Sequence, residues 1–251
     1  MRDFPQDLVD MVIDKLAERP DPTDESPPEY NDISRYSTVS RQWVERTQKY
    51  HFRVLLFDRQ SRLEKWRTGI QVHPSGGVSR HVRRLVFRDI PTLQGFEDQI
   101  RAFTGIKEAG LCIYTLKSLS KVETLVLMGS SLVRLEIAGM ETTPYTMASL
   151  LAGLPHLRYL YACYLRVDPD NDAPALPSNI PFFESTGTFD LRMVDYSPEK
   201  LNWIPPTARF GDLRIDVCCI WSIPAVVNKW FASSGEDLER LTIREETAHG
   251  T

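Results

Sequence analysis

One short pattern, apolar-x-x-apolar-x-apolar, recurs over most of the chain and limits its fold more than any other feature. It appears as Val82-Arg83-Arg84-Leu85-Val86-Phe87, Val122-Glu123-Thr124-Leu125-Val126-Leu127, Leu132-Val133-Arg134-Leu135-Glu136-Ile137 and Leu157-Arg158-Tyr159-Leu160-Tyr161-Ala162. Weaker copies are Phe210-Gly211-Asp212-Leu213-Arg214-Ile215, Leu238-Glu239-Arg240-Leu241-Thr242-Ile243 and, weakest, Leu191-Arg192-Met193. Each reads as a short strand with one buried side. Leu135 and Leu160 are 25 residues apart, and Leu213 and Leu241 are 28 apart. The step from Leu160 to Leu213 is 53, close to two units with Leu191 between.

A period of about 20–29 residues with this consensus is the leucine-rich-repeat signature, one strand per unit. Helix-like stretches separate the strands, most clearly Met147–Leu154, which stops at Pro155. No single unit can bury its apolar face, so stacked units with a shared core are expected. The array is irregular. Leu125 and Leu135 are only 10 apart, so either one unit has lost its helix or Met128–Ser131 turns the chain back as a hairpin. The asparagine of regular repeats is missing. No capping unit follows Leu241-Thr242-Ile243, so a shortened array is expected.

Upstream the periodicity is helical. Leu8, Met11, Val12 and Leu16 share one face, with Val9 and Ile13 as a second strip beside it. An apolar arc this wide is either buried in a large core or divided between the fold and a partner. Residues 18–32 hold four prolines and six carboxylates and read as a solvated loop. A second helical pattern covers about 33–44, with Tyr36, Val39, Trp43 and Val44 on one face, and His51–Phe57 reads as the first strand.

The net charge of −4 conceals three blocks. Residues 1–32 hold 3 Lys and Arg against 10 Asp and Glu; residues 33–90 hold 13 against 4; residues 91–251 hold 14 against 20. The basic block suggests nucleic acid, but Arg83 and Arg84 are strand neighbours that point to opposite faces. The pI of about 5.8 and the lack of a nucleic-acid motif also argue against it. A solvated face, or one complementary to acidic partners, fits better. No apolar run approaches the length that spans a bilayer, so no membrane association is expected. Met1–Asp7 has no basic segment leading into an apolar stretch, so no signal peptide is expected. Four irregularly spaced cysteines make no disulfide framework; a cytoplasmic or nuclear location follows.

Nothing in the residue pattern singles out chemistry. His51, His73, His81, His156 and His249 form no ligand pair at helical spacing, and there is no Cys-x-x-Cys. Cys218-Cys219 sits in an apolar stretch, and no base is placed beside any cysteine. Gly76-Gly77 lacks the Lys-Ser/Thr of a phosphate loop and reads as a turn. The expectation is a non-enzyme with no cofactor and no metal.

Phe4-Pro5-Gln6-Asp7-Leu8-x-x-x-Val12-Ile13-x-x-Leu16, followed by Tyr36-x-x-Val39-Ser40-Arg41-x-Trp43, resembles the F-box motif. With the phrases His51-Phe52-Arg53-Val54 and His81-Val82-Arg83-Arg84-Leu85, it looks like the fungal type, where an F-box precedes degenerate leucine-rich repeats. The loop at 18–32 separates the two halves by more than the compact family pattern. The resemblance implies the substrate-recognition subunit of an SCF-type cullin-RING ubiquitin ligase, a non-catalytic part of that complex. It implies binding to a Skp-family adaptor, and through it a cullin, by Pro5, Leu8, Val12, Ile13, Leu16, Val39, Ser40 and Trp43. An unknown protein substrate would sit on the repeats, with Arg158, Tyr159 and Tyr161 as contacts. The expected fold is α/β: a small helical F-box-like module at 1–53, a connecting segment at 54–78, and an irregular leucine-rich-repeat-like solenoid at 79–251. A repeat-based interaction scaffold with a drifted F-box and no ligase role is the alternative, and an enzyme of unknown type a third.

Overall fold

The computed structural model describes residues 5–17, 41–69, 78–88, 90, 93, 96–103, 105–112, 115–116, 119–129, 131–168, 175–192, 198–217 and 225–245. Helix α1 (Gln6–Ala17) opens after Pro5, whose carbonyl accepts from the N–H groups of Leu8 and Val9. Asp7 in its first turn and Lys15 in its last both complement the helix dipole. Helix α2 (Arg41–His51) packs against α1.

The chain then alternates strands with helical or irregular crossovers. In order these are β1 (Val54–Phe57), α3 (Gln60–Gly69), β2 (Arg84–Arg88), α4 (Glu97–Ala102), β3 (Glu108–Cys112), β4 (Thr115–Leu116) and α5 (Leu119–Val126). They continue as β5 (Arg134–Ala138), β6 (Glu141–Thr142), α6 (Pro144–Ala152), β7 (Tyr159–Cys163), β8 (Arg166–Val167) and β9 (Thr188–Arg192). The last are α7 (Pro198–Leu201), β10 (Asp212–Val217), α8 (Ala225–Ser234) and β11 (Arg240–Glu245). Single 3-10 turns occupy Val78–His81, Pro181–Glu184 and Gly235–Asp237.

Eight strands form one sheet in the order β1-β2-β3-β5-β7-β9-β10-β11, with every described pairing parallel. The short strands β4, β6 and β8 form a second parallel sheet. Parallel neighbours require a crossover, and the crossovers cover one face of the large sheet. That covered face carries Leu85, Ala109, Leu135, Leu160, Phe189 and Leu213 in one row, all essentially without solvent contact. Phe87, Leu111, Ile137, Ala162, Leu191 and Ile215 form the next row, equally buried. Aromatic rings thicken the core at both ends. Phe57 stacks on Phe87 at 5.7 Å between centroids and meets Phe96 and Trp66 edge-on. At the other end Phe189 stacks on Phe210 at 5.0 Å within a cluster that includes Phe183, Trp203 and Trp230.

Local chemistry fixes the crossovers. In α6 the Thr143 hydroxyl accepts from the Thr146 N–H at 3.2 Å and Pro144 opens the first turn, a cap that contributes about 1 kcal/mol. After β5 the chain turns at Gly139, whose φ of +61° suits a residue without Cβ. The equivalent turn after β7 places Tyr164 at φ +51°, a strained conformation for a side-chain-bearing residue.

Two expectations are corrected. The molecule is α/β, but it is not a small helical F-box-like module followed by an irregular leucine-rich-repeat-like solenoid. It is a mostly parallel eight-stranded sheet with few helices, and β1, within the expected connecting segment, is its first strand. Apolar runs mark buried parallel strands of any kind, and a 25-residue step is the length of one strand-crossover-strand unit, so the period does not by itself specify a repeat architecture. The second correction is local. Val122–Leu127 lies mostly in helix α5, not in a strand, with Val122 and Leu125 buried one turn apart. The 10-residue gap to Leu135 is therefore a helix end and the strand it feeds, neither a lost helix nor a hairpin. Among the described residues no helix is long and apolar enough to cross a membrane.

Candidate protein-interaction surfaces

Helix α1 divides its apolar arc. Val9 and Ile13 are buried, 0% and 1% exposed, on the side that meets α2. Leu8, Met11 and Val12 lie on the other side and are 42%, 59% and 38% exposed. A polar clasp sets this orientation. The Arg46 guanidinium donates from Nε to Asp14 Oδ1 at 2.7 Å and from Nη2 to Oδ2, while Asp10 stands 3.7 Å from Arg46 Nη1. The Tyr50 hydroxyl donates to Asp14 Oδ1 at 2.6 Å. Hydrogen bonds from Arg46 and Tyr50 hold the Asp14 carboxyl below the usual carboxylate range, and burial, then the bond to Asp14, pushes the Tyr50 phenol up. Thr47, 1% exposed, satisfies its hydroxyl on the Trp43 and Val44 carbonyls.

The sequence candidates separate on this geometry. Pro5, Leu8 and Val12 are exposed, Ile13 faces the chain's own interior, and Trp43 is half-buried on α2. Val39, Ser40 and the Leu16 side chain lie outside the described residues. Met11, the most exposed of the apolar strip, is absent from the sequence set although it shares the face of Leu8 and Val12 at helical spacing.

The second surface is the uncovered face of the large sheet. Strict register lines up Arg84, Glu108, Arg134, Tyr159, Thr188, Asp212 and Arg240 across it. The row two residues on reads Val86, Gly110, Glu136, Tyr161, Asp190, Arg214 and Thr242. Acids and arginines pair along the rows. Arg134 Nε donates to Glu136 at 2.8 Å, and Arg84 Nη2 bonds the other oxygen of the same carboxylate. Asp190, 0% exposed, accepts from Arg192 at 3.2 and 3.3 Å, with Arg214 at 3.8 Å and Arg244 at 3.7 Å. Arg214 also donates to Asp212 at 2.7 Å.

Tyr159 and Tyr161 stand at the centre of this face. The Arg134 guanidinium lies 4.0 Å over the Tyr159 ring and that of Arg192 lies 5.0 Å over Tyr161. Burial pushes both phenols up, so they act as stacking and hydrogen-bonding groups and not as bases. Burial opposes the Arg134 charge, but the bond to Glu136 together with the charges of Glu136, Tyr159 and Glu108 outweighs it and the guanidinium is held more firmly protonated. Beside the tyrosines the small residues Gly110 and Ala138 leave a groove of about 710 Å³ floored by Leu56 and Val86 and walled by Glu136 and Tyr161. The structure thus brings Tyr159 and Tyr161 together. Arg158 precedes β7 and belongs to the edge where the strands begin, not to this face. The arginines and acids of the face went unrecognised in the sequence, although Arg84, Arg134, Glu136, Arg192, Asp212, Arg214 and Arg240 sit at x positions of the apolar pattern, where alternation points them away from the core; Glu108 and Asp190 fall outside its copies.

Among the described residues no three His, Cys, Asp or Glu side chains are grouped to hold a metal ion. Cys112 is half-buried and Cys163 buried, both as free thiols; Cys218, Cys219, His73, His249, Gly76 and Gly77 lie outside the described residues. No family model matches the chain, and no curated protein matches it.

Proposed function

We propose that the chain is a recruitment subunit, the substrate-recognition component of an SCF-type ubiquitin ligase. In this reading α1 engages a Skp-family adaptor and the open sheet face engages a protein to be modified. The observation that carries it is the split of α1: Leu8, Met11 and Val12 present an apolar strip to solvent while Val9, Ile13 and the Asp14–Arg46–Tyr50 clasp hold the helix in place. A fixed amphipathic helix with an exposed i, i+3, i+4 strip is what a partner's apolar groove accepts. Exposed apolar strips of this kind mark interaction surfaces. The motif resemblance at residues 4–16 and 36–43 supplies the identity of the adaptor. The chain itself would do no chemistry; it would raise the local concentration of one protein beside another.

The test is capture of a purified Skp-family adaptor by the full chain. Met11→Asp and Leu8→Asp should abolish capture with the melting temperature unchanged. An adaptor that ignores the parent chain would overturn the ligase reading and leave a scaffold without that role.

A further inference from the structure

The basic block has a structural counterpart that neither surface above uses. At the junction of α2 and the large sheet a cleft of about 650 Å³ is lined by Lys49, Tyr50, Arg53, Arg80, His81 and Arg83, with no carboxylate lining it among the described residues. Its walls are braced by their own hydrogen bonds. Arg83 Nη1 donates to the Arg80 carbonyl at 3.0 Å and to the Gly105 carbonyl at 3.2 Å, and Arg80 Nε donates to His81 Nε2 at 3.0 Å. The nearby Asp14 is already bound by Arg46 and Tyr50.

The cleft runs into a row of cations along the edge where the strands begin. The Arg83 N–H donates to the Arg53 carbonyl at 2.9 Å and the Lys107 N–H to the Arg83 carbonyl at 2.8 Å. These bonds place Arg53, Arg83 and Lys107 side by side at strand spacing, about 4.8 Å apart. All three are exposed, and none of them forms an ion pair among the described residues. Arg84, Arg134, Arg192 and Arg214 of the open face behave oppositely, since carboxylates of the same face neutralise them.

We propose that this cleft and edge form a binding site for an acidic peptide segment of a partner protein. The charge is complementary, and the dimensions suit a short chain. An extended peptide rises about 3.3 Å per residue, so about four or five residues cover the three-strand row and enter the cleft. The row ends at Val133, whose N–H bonds the Lys107 carbonyl. That is too short for the six to ten phosphate contacts typical of a duplex reader. The acidic pI also opposes a nucleic-acid occupant. This site is distinct from the α1 strip, so peptide binding and adaptor capture can fail independently.

Fluorescence polarisation of a labelled ten-glutamate peptide against the full chain tests the proposal, with a ten-nucleotide single-stranded DNA as the second probe. Saturable peptide binding is expected at about 50 mM NaCl, weakening about tenfold by about 200 mM. Arg53→Glu combined with Lys107→Glu should weaken it at least about tenfold, and Lys229→Glu, an exposed cation on α8, should leave it within about twofold. Should the double variant melt lower than the parent, Lys49→Glu on α2 is read in its place with the same expectation. No saturable binding by the parent, equal loss in Lys229→Glu, or tighter binding of the DNA than of the peptide would each overturn the proposal.

Discussion

Asp190 offers the sharpest test of how the open face is held together. Its carboxylate is completely buried, yet it sits among three guanidinium groups, those of Arg192, Arg214 and Arg244. Asp190→Asn keeps the shape and removes the charge, leaving the three cations facing an amide. Stripping one partner from a fully buried pair costs about 3–5 kcal/mol. Here the arginine side chains keep 26–38% exposure, so water recovers part of the loss and about 2–3 kcal/mol is expected. At about 2–4 °C per kcal/mol for a chain of this size, the melting temperature should fall by about 5–10 °C.

Urea unfolding followed by the fluorescence of buried Trp203 and Trp230 reads the change as a midpoint shift at constant slope. About 0.5 M NaCl should restore part of it, because the residual destabilisation includes repulsion between partly exposed cations. Arg192→Met should cost less, since two arginines still face the carboxylate. An Asn variant with an unmoved midpoint, or a loss larger for Arg192→Met, would refute the view that Asp190 is the electrostatic centre of this face.

Three further outcomes follow from the structure. Val9→Asp places a charge at a fully buried contact between α1 and α2 and should lower stability by several kcal/mol, whereas Leu8→Asp on the exposed side should change it by no more than about 0.5 kcal/mol in the same thermal melt. Because Arg46 and Tyr50 lower the folded-state pKa of Asp14 below its unfolded value of about 3.9, the clasp contributes fully above that value and is lost as pH falls through the folded one; parent and Asp14→Asn stabilities should therefore converge on acidification and separate near neutrality. Gly139→Ala should cost about 1 kcal/mol, and Tyr164→Gly should cost nothing or gain up to about 1 kcal/mol by relieving a positive φ, both read by urea titration.

Sequence reasoning located β2 with Leu85 and Phe87, β5 with Leu135 and Ile137, and β10 with Leu213 and Ile215, each with two large buried residues on the covered face, and also β7 with Leu160 and Ala162 and β11 with the half-exposed Leu241 and Ile243. Strand β3 escaped because Glu108-Ala109-Gly110-Leu111-Cys112 offers only Ala109 where the pattern asks for bulk; Gly110, on the opposite face, makes room for the groove on the open face. Helix α5 was mistaken for a strand because Val122 and Leu125 satisfy the i, i+3 spacing that begins the strand pattern as well. Architecture was the larger failure, since the interval between strands reports crossover length and not the shape the crossovers build. At the site, an apolar arc spanning Leu8, Val9, Val12 and Ile13 does not reveal which side is buried; only packing against α2 separates them. The ion pairs of the open face depend on register between strands far apart in sequence, as for Arg84 and Glu136, 52 residues apart, which no local window contains.

The two charged regions suit different stages of recognition. On the open face Arg84, Arg134, Arg192 and Arg214 are already held by a carboxylate or stacked on a tyrosine, so their rotamer freedom is largely lost before any partner arrives. A surface ordered in advance loses less entropy on binding, and Tyr and Arg are the residues most often dominant at such interfaces. Its charges are internally balanced, so it attracts little from a distance; it discriminates by shape, stacking and hydrogen bonds. The edge at Arg53, Arg83 and Lys107 has the reverse character: exposed and without ion pairs among the described residues, it acts over roughly a Debye length and speeds encounter with an acidic chain. Salt should then act mainly on the association rate of a partner that touches both regions, while substitutions at Tyr159 and Tyr161 should act mainly on its dissociation.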